Sequence, residues 1–103
     1  MQIEHWHSER DGPLSESALR HKLERRGYQV NRTVYSPGMF FPEHDHAVDK
    51  IDAVLSGRFR VTMQGREAIL EAGDFVVVPK HVCHAAEVVG DEPVVSFDAV
   101  HNP

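Results

Sequence analysis

Residues 38–57 read GMFFPEHDHAVDKIDAVLSG, and this stretch decides what kind of fold the chain can build. A short apolar strand with an internal proline is predicted over 40–46, and a second strand is predicted over 50–55. His44 and His46 are two residues apart, so on an extended chain their side chains point to the same side. The segment therefore predicts two short strands and a pair of imidazoles that can reach one metal ion.

The rest of the chain after residue 27 repeats this alternation of short apolar runs and turns. Further strands are predicted at Tyr28–Tyr35, Arg58–Met63, Arg66–Leu70, Phe75–Val78, His84–Val89 and Val94–Val100. Gln64-Gly65 is typical of a tight hairpin turn between two of them. Many short strands at near-regular spacing predict an all-β antiparallel fold that closes into a barrel or sandwich.

The first 27 residues differ from this pattern, and we predict that they form an arm and a helix packed on a barrel domain over 28–103. Ser15 can cap a helix that ends near Arg26, and two leucines four residues apart give it a narrow apolar stripe. The polar leader contains His5-Trp6-His7. We interpret it as an arm whose tryptophan covers part of the barrel, with a second metal site as the alternative.

Composition limits the classes of function. The chain has 103 residues with 11 basic and 16 acidic side chains, a formal charge of −5. This charge argues against nucleic-acid partners, and Arg25-Arg26 is interpreted as a solvated helix end. No apolar run approaches the roughly 20 residues that span a bilayer, so no membrane partner is expected. A polar start and a single cysteine, Cys83, predict a cytoplasmic protein.

A second segment, residues 73–84, carries the remaining candidate ligand. A glycine turn leads into a buried strand, Pro79 closes that strand, and His84 begins the next one. His84 can therefore lie across the barrel from the first histidine pair. Cys83 is expected to face the opposite side from His84 as a buried core thiol.

Together the two segments resemble the two motifs of the cupin superfamily, in particular small single-domain bacterial-type cupins. The first motif is matched by Gly38, His44, His46, Lys50 and Gly57, and the second by Gly73, Pro79, His81, His84 and Val88. The resemblance implies a double-stranded β-helix, or jelly-roll barrel, of six to eight strands. It also implies one divalent metal ion held by His44, His46 and His84.

The chain departs from the family pattern at three of these positions. Lys50 replaces a glutamate ligand, and a protonated lysine has no lone pair to donate to a metal. Asp49 or Asp52 is a candidate substitute ligand, and a Lys50–Asp52 ion pair at the cavity wall is the favoured alternative. His81 replaces a glycine and is a candidate accessory acid or base, and Val88 replaces an asparagine.

Three imidazoles without a thiolate suit Zn, Fe, Ni, Cu or Mn, and they leave coordination positions open. The resemblance implies a metal-dependent dioxygenase or isomerase acting on a small organic molecule, with Lys50, Asp52 and His81 as candidate catalytic residues. The alternative is a non-catalytic module that binds or senses a small ligand or metal, and a purely structural barrel is a third possibility. A homodimer is expected by resemblance.

Overall fold

The computed structural model describes residues 1–101, so the last two residues of the predicted 28–103 segment lie outside it. Over this range it contains nine strands and two helices. They are β1 (Gln2–Glu4), α1 (Ser8–Asp11), α2 (Glu16–Glu24), β2 (Tyr28–Tyr35), β3 (Phe40–His44), β4 (Lys50–Ser56), β5 (Arg58–Met63), β6 (Arg66–Leu70), β7 (Phe75–Val78), β8 (His84–Val89) and β9 (Val94–His101).

The strands form two sheets that face each other. One sheet has the order β1-β7-β4-β9-β2 and the other has the order β3-β8-β5-β6, and every neighbouring pair is antiparallel. The inner faces meet in an apolar core that includes Val54, Phe59, Val61, Leu70 and Val76. The expected antiparallel jelly-roll architecture is confirmed.

Helix α2 covers the outer face of the five-stranded sheet. The Ser15 hydroxyl accepts a hydrogen bond from the Ala18 amide at 3.1 Å, which caps the first turn. Leu19 and Leu23 are fully buried in a second apolar cluster that includes Phe97. Within residues 1–101, neither helix is long and apolar enough to cross a membrane.

The leader forms regular secondary structure, whereas the sequence predicts only an arm that covers part of the barrel. Strand β1 pairs with β7, placing Ile3 opposite Val76, and α1 adds a second short helix where the sequence predicts only one. Trp6 packs so closely on Gly73 that a β-carbon there would lie 2.6 Å from the tryptophan Cβ. His5, which belongs to the alternative metal site considered above, contacts the Asp74 carboxylate at 2.7 Å.

The expectation of a buried Cys83 is wrong, because this thiol is exposed. Strand β8 begins at His84, so Cys83 belongs to the preceding turn and strand alternation does not place it. The core clusters of the described chain lie between the sheets and under α2.

Candidate metal centre

Three histidines come together at one end of the barrel. His44, the last residue of β3, lies directly opposite His84, the first residue of β8. His46 follows two residues beyond the end of β3. The ring centroids lie 4.3 to 5.2 Å apart, and one ligand nitrogen from each ring lies within 4.8 Å of the others. Within residues 1–101 this is the one group of three or more potential metal ligands, and it includes neither His5 nor His7 of the alternative site.

Backbone carbonyls orient two of the three rings. His44 Nδ1 donates to the Pro42 carbonyl at 2.7 Å, and His84 Nδ1 donates to the Val82 carbonyl at 3.0 Å. A carbonyl oxygen can only accept, so each Nδ1 carries the proton and each Nε2 keeps its lone pair. Such contacts fix both the tautomer and the ring orientation of metal-binding histidines.

The third ring, His46, has an Nε2 atom that is buried and has no hydrogen-bond partner within the described chain. A buried polar atom without a partner is rare, and it is accounted for if an ion occupies the site. Burial is the main cause that lowers the pKa of His46 and of His84. Both rings are therefore neutral near pH 7, the form that binds a metal, and the donor set fits a divalent transition metal ion.

The turn at residues 79–81 holds the His46 loop in place. His81 adopts a left-handed backbone conformation with φ of 65°, and its amide donates to the His46 carbonyl at 2.7 Å. Asp49 Oδ1 accepts a hydrogen bond from the Lys80 amide at 2.9 Å. The side chains of His81 and Asp49 do not line the cavity. The structure thus gives no support to His81 as an acid or base, or to Asp49 as a ligand.

A cavity of about 220 Å³ opens beside the histidines. Imidazoles, aromatic rings and charged side chains from the five-stranded sheet form its walls. The lining residues are Tyr35, Phe41, His44, His46, Lys50, Asp52, Phe59, His84, Ala86 and Asp98. Tyr35 stacks on Phe59 with a centroid distance of 5.6 Å, and burial raises the pKa of its phenol. The phenol is therefore a neutral hydrogen-bonding group in the cavity.

The ion pair at the cavity wall joins Lys50 to Asp98, which corrects the expected Lys50–Asp52 pair. Lys50 Nζ lies 2.5 Å from Asp98 Oδ1, and the lysine side chain is only 12 % exposed. Asp52 is the direct cross-strand neighbour of Asp98. A long side chain reaches its diagonal neighbour on the next strand, which explains why Lys50 pairs with Asp98.

Burial raises the pKa of Asp52 to about 6, against the attraction of Lys50, and the charge of Asp98 adds to the rise. Asp52 lies at the cavity wall but does not belong to the group of ligand atoms. Asp98 was missed by the sequence reasoning. Its signal was the one carboxylate within the mostly apolar sequence of β9.

The comparisons with known proteins agree with this fold. A family model described as "Cupin domain" matches residues 31–100, more than half of the chain. The chain belongs to the cupin family. A search of curated proteins finds no match.

Solved structures share the cupin fold. A cupin-like protein from Thermotoga maritima is 29 % identical with a TM-score of 0.65, over 73 % of this chain and 57 % of that one. An RmlC-like cupin from Shewanella frigidimarina is 26 % identical with a TM-score of 0.64, over 72 % and 65 %. The Cupin_2 domain of an XRE family transcriptional regulator from Enterobacter cloacae is 22 % identical with a TM-score of 0.63, over 78 % and 86 %. The matched part of this cupin thus spans less than two thirds of the first two of these structures.

Proposed function

We propose that this cupin is a metal-dependent protein that binds and transforms a small organic molecule in the cavity beside His44, His46 and His84. One observation supports it most: three convergent imidazoles, two with their tautomer fixed, line a cavity and have no fourth protein ligand within residues 1–101. Three protein ligands with open positions are typical of working rather than structural metal sites. When bound, the ion supplies Lewis-acid polarisation or, if it is redox-active, electron transfer.

The cavity limits the size and character of the substrate. A volume of about 220 Å³ equals the liquid volume of about seven water molecules, which restricts the ligand to a small molecule. The aromatic wall of Tyr35, Phe41 and Phe59 excludes water and packs against an apolar part of it. Lys50 provides an ammonium group for an anionic part, such as a carboxylate or a developing oxyanion.

Two carboxylates at the opposite wall of the cavity have different supporting roles. Asp98 holds the Lys50 ammonium within the cavity through their ion pair. Asp52, with its pKa raised to about 6, can accept or release a proton near neutral pH. These residues would support either an isomerisation or a dioxygenation, and the metal decides between the two reaction classes.

The test uses protein loaded separately with Fe(II), Zn(II), Ni(II) or Mn(II) and a panel of small organic acids. Oxygen uptake and product formation by NMR are followed for the wild type, for Lys50→Met and for Lys80→Met. Lys80 is an exposed lysine outside the cavity and serves as the control. We expect turnover to be lost in Lys50→Met at unchanged metal content and retained in Lys80→Met. Full turnover in Lys50→Met would dispose of its role.

Because Lys50 replaces the family's glutamate ligand, we also consider a second candidate function. A cupin without that ligand can bind a small molecule without transforming it. Saturable binding of an organic acid to the metal-loaded protein, with no product under any metal, would identify such a ligand-binding or sensing module. The cytoplasmic location of the protein remains a prediction.

A homodimer through the sheet edges is also a proposal. Strands β2 and β3 are edge strands and expose Val34 and Phe40, the latter 60 % exposed. Unpaired edges with apolar side chains favour association. Light scattering on the wild type and on Phe40→Glu tests this, with a dimer expected for the first and a monomer for the second. A monomeric wild type would refute it.

A further inference from the structure

A groove outside the barrel is larger than the metal cavity. It lies between α1 and α2, with a volume of about 490 Å³. Four permanent cations line it, namely Arg10, Lys22, Arg25 and Arg26, and the one carboxylate among the lining residues is Asp11. The chain as a whole carries a formal charge of −5 with only 11 basic residues. More than a third of its permanently charged basic side chains therefore border one groove. The groove is thus basic, whereas the chain as a whole is acidic.

One continuous stripe of α2 and its C-cap residue forms a wall of this groove. Ala18, His21, Lys22 and Arg25 follow the spacing i, i+3, i+4 and i+7, which places them on one face of a helix. The helix dipole accounts for basic residues in the last turn of α2. It does not account for Arg10, which reaches the same groove from α1.

Two of the cations are already neutralised. Lys22 Nζ lies 2.9 Å from Asp11 Oδ2, and Arg26 makes a bidentate pair with Glu4 at 2.6 and 2.7 Å. These pairs hold α2 against the leader and fix the shape of the groove. They also occupy the acidic groups that would otherwise repel an anion.

The other two are available to a ligand. Arg25 makes no ion pair within the described residues, and Arg10 is 65 % exposed with one long contact of 3.5 Å to Asp11. Exposed His21 also lines this groove, on the same helix face as Arg25. Guanidinium groups present planar forks of N–H donors that match phosphate oxygens in a bidentate manner.

We propose that this groove binds the phosphate-type group of a small phosphorylated molecule, with Arg10 and Arg25 as the principal contacts. A multivalent oxyanion satisfies two arginine forks at once, whereas a single carboxylate satisfies only one. The site is independent of the metal centre, and its loss leaves metal binding intact.

Trp6 makes the test specific, because it is the single tryptophan of the chain and it lines this groove. Metal-free protein is titrated with inorganic pyrophosphate, and in a second series with adenosine diphosphate. Calorimetry measures binding, and tryptophan fluorescence reports its location. The double variant Arg10→Gln/Arg25→Gln is compared with Arg58→Gln/Arg66→Gln, which removes the same charge from exposed positions outside the groove.

We expect saturable binding of pyrophosphate with a change in tryptophan fluorescence. The groove variant should weaken it by about tenfold or more, since two charge-assisted hydrogen-bonding partners are lost. The control variant should retain affinity within about twofold, because distant exposed charges are screened. Absence of saturable binding of both probes would overturn the proposal, and so would equal weakening in the two variants. Far-UV circular dichroism and metal uptake verify that each variant is folded.

Discussion

Asp52 gives the sharpest prediction about stability, because its carboxylate is kept in the cavity wall at a free-energy cost. The pKa lies at about 6, compared with an ordinary value of 3.8. The folded state therefore binds more protons than the unfolded state between these two values. The free energy of unfolding must fall as pH rises through this window and level off above it.

The size of the effect follows from the same displacement. A pKa raised from 3.8 to about 6 makes the free energy of unfolding about 3 kcal/mol lower above both values than below both. Between about pH 4.5 and pH 8 the linkage integral amounts to about 2 kcal/mol. Asp52→Asn removes this titration but keeps a polar group that can donate to Asp98. We therefore expect the variant to gain about 2 kcal/mol relative to wild type on going from the lower to the higher pH.

The assay is urea unfolding of metal-free protein at both pH values, followed by far-UV circular dichroism. Asp91→Asn serves as the control, because Asp91 is an exposed aspartate in the turn before β9. We expect its effect on the free energy of unfolding to be the same at the two pH values. The reasoning is refuted if Asp52→Asn changes stability by the same amount at both.

Two further predictions concern packing. Gly57→Ala should lower the free energy of unfolding by more than about 2 kcal/mol, because φ is +85° and the new β-carbon would lie 2.4 Å from the Pro93 carbonyl oxygen. Gly38→Ala, with φ of +79° and open space around it, should cost only about 1 kcal/mol, and an equal cost in urea titrations would contradict this account. Leu23→Ala should cost about 2–5 kcal/mol, because the side chain is fully buried under α2. Thermal unfolding measures this loss, and a change below that of Val34→Ala at an exposed position would exclude the packing described here.

Much of the fold follows from local patterns. The bounds of β2, β6, β7 and β8 agree with the predicted strands, because alternation and turn residues mark both ends. The first strand was missed because Gln2–Glu4 is too short to show a period. It becomes a strand only through pairing with β7, and that contact lies more than 70 residues away along the chain.

The metal centre was predicted for a reason that is only partly correct. His44 and His46 were expected to share one side of a strand, but β3 ends at His44. His46 reaches the site through the loop that the His81 amide holds. The spacing of the motif thus identifies the ligands, whereas the geometry that joins them depends on a turn from a distant segment.

The ion pairing of the charged side chains at the cavity wall could not be predicted from the sequence. Lys50 and Asp52 share a strand face, so an ion pair between them was the simplest interpretation. The partner of Lys50 is Asp98, and that choice depends on the register between β4 and β9. The register between two strands that are about 40 to 50 residues apart cannot be derived from a local pattern, because many alignments satisfy the same alternation.

Metal stoichiometry tests the central claim most directly. Protein purified without a nickel column is equilibrated with one divalent transition metal at a time, dialysed and measured by elemental analysis. His46→Ala is the test variant, and His21→Ala, an exposed histidine on α2, is the control. We predict one ion per chain for the wild type and for His21→Ala, and substoichiometric metal for His46→Ala. No stoichiometric uptake by the wild type, or full uptake by His46→Ala, would contradict the account.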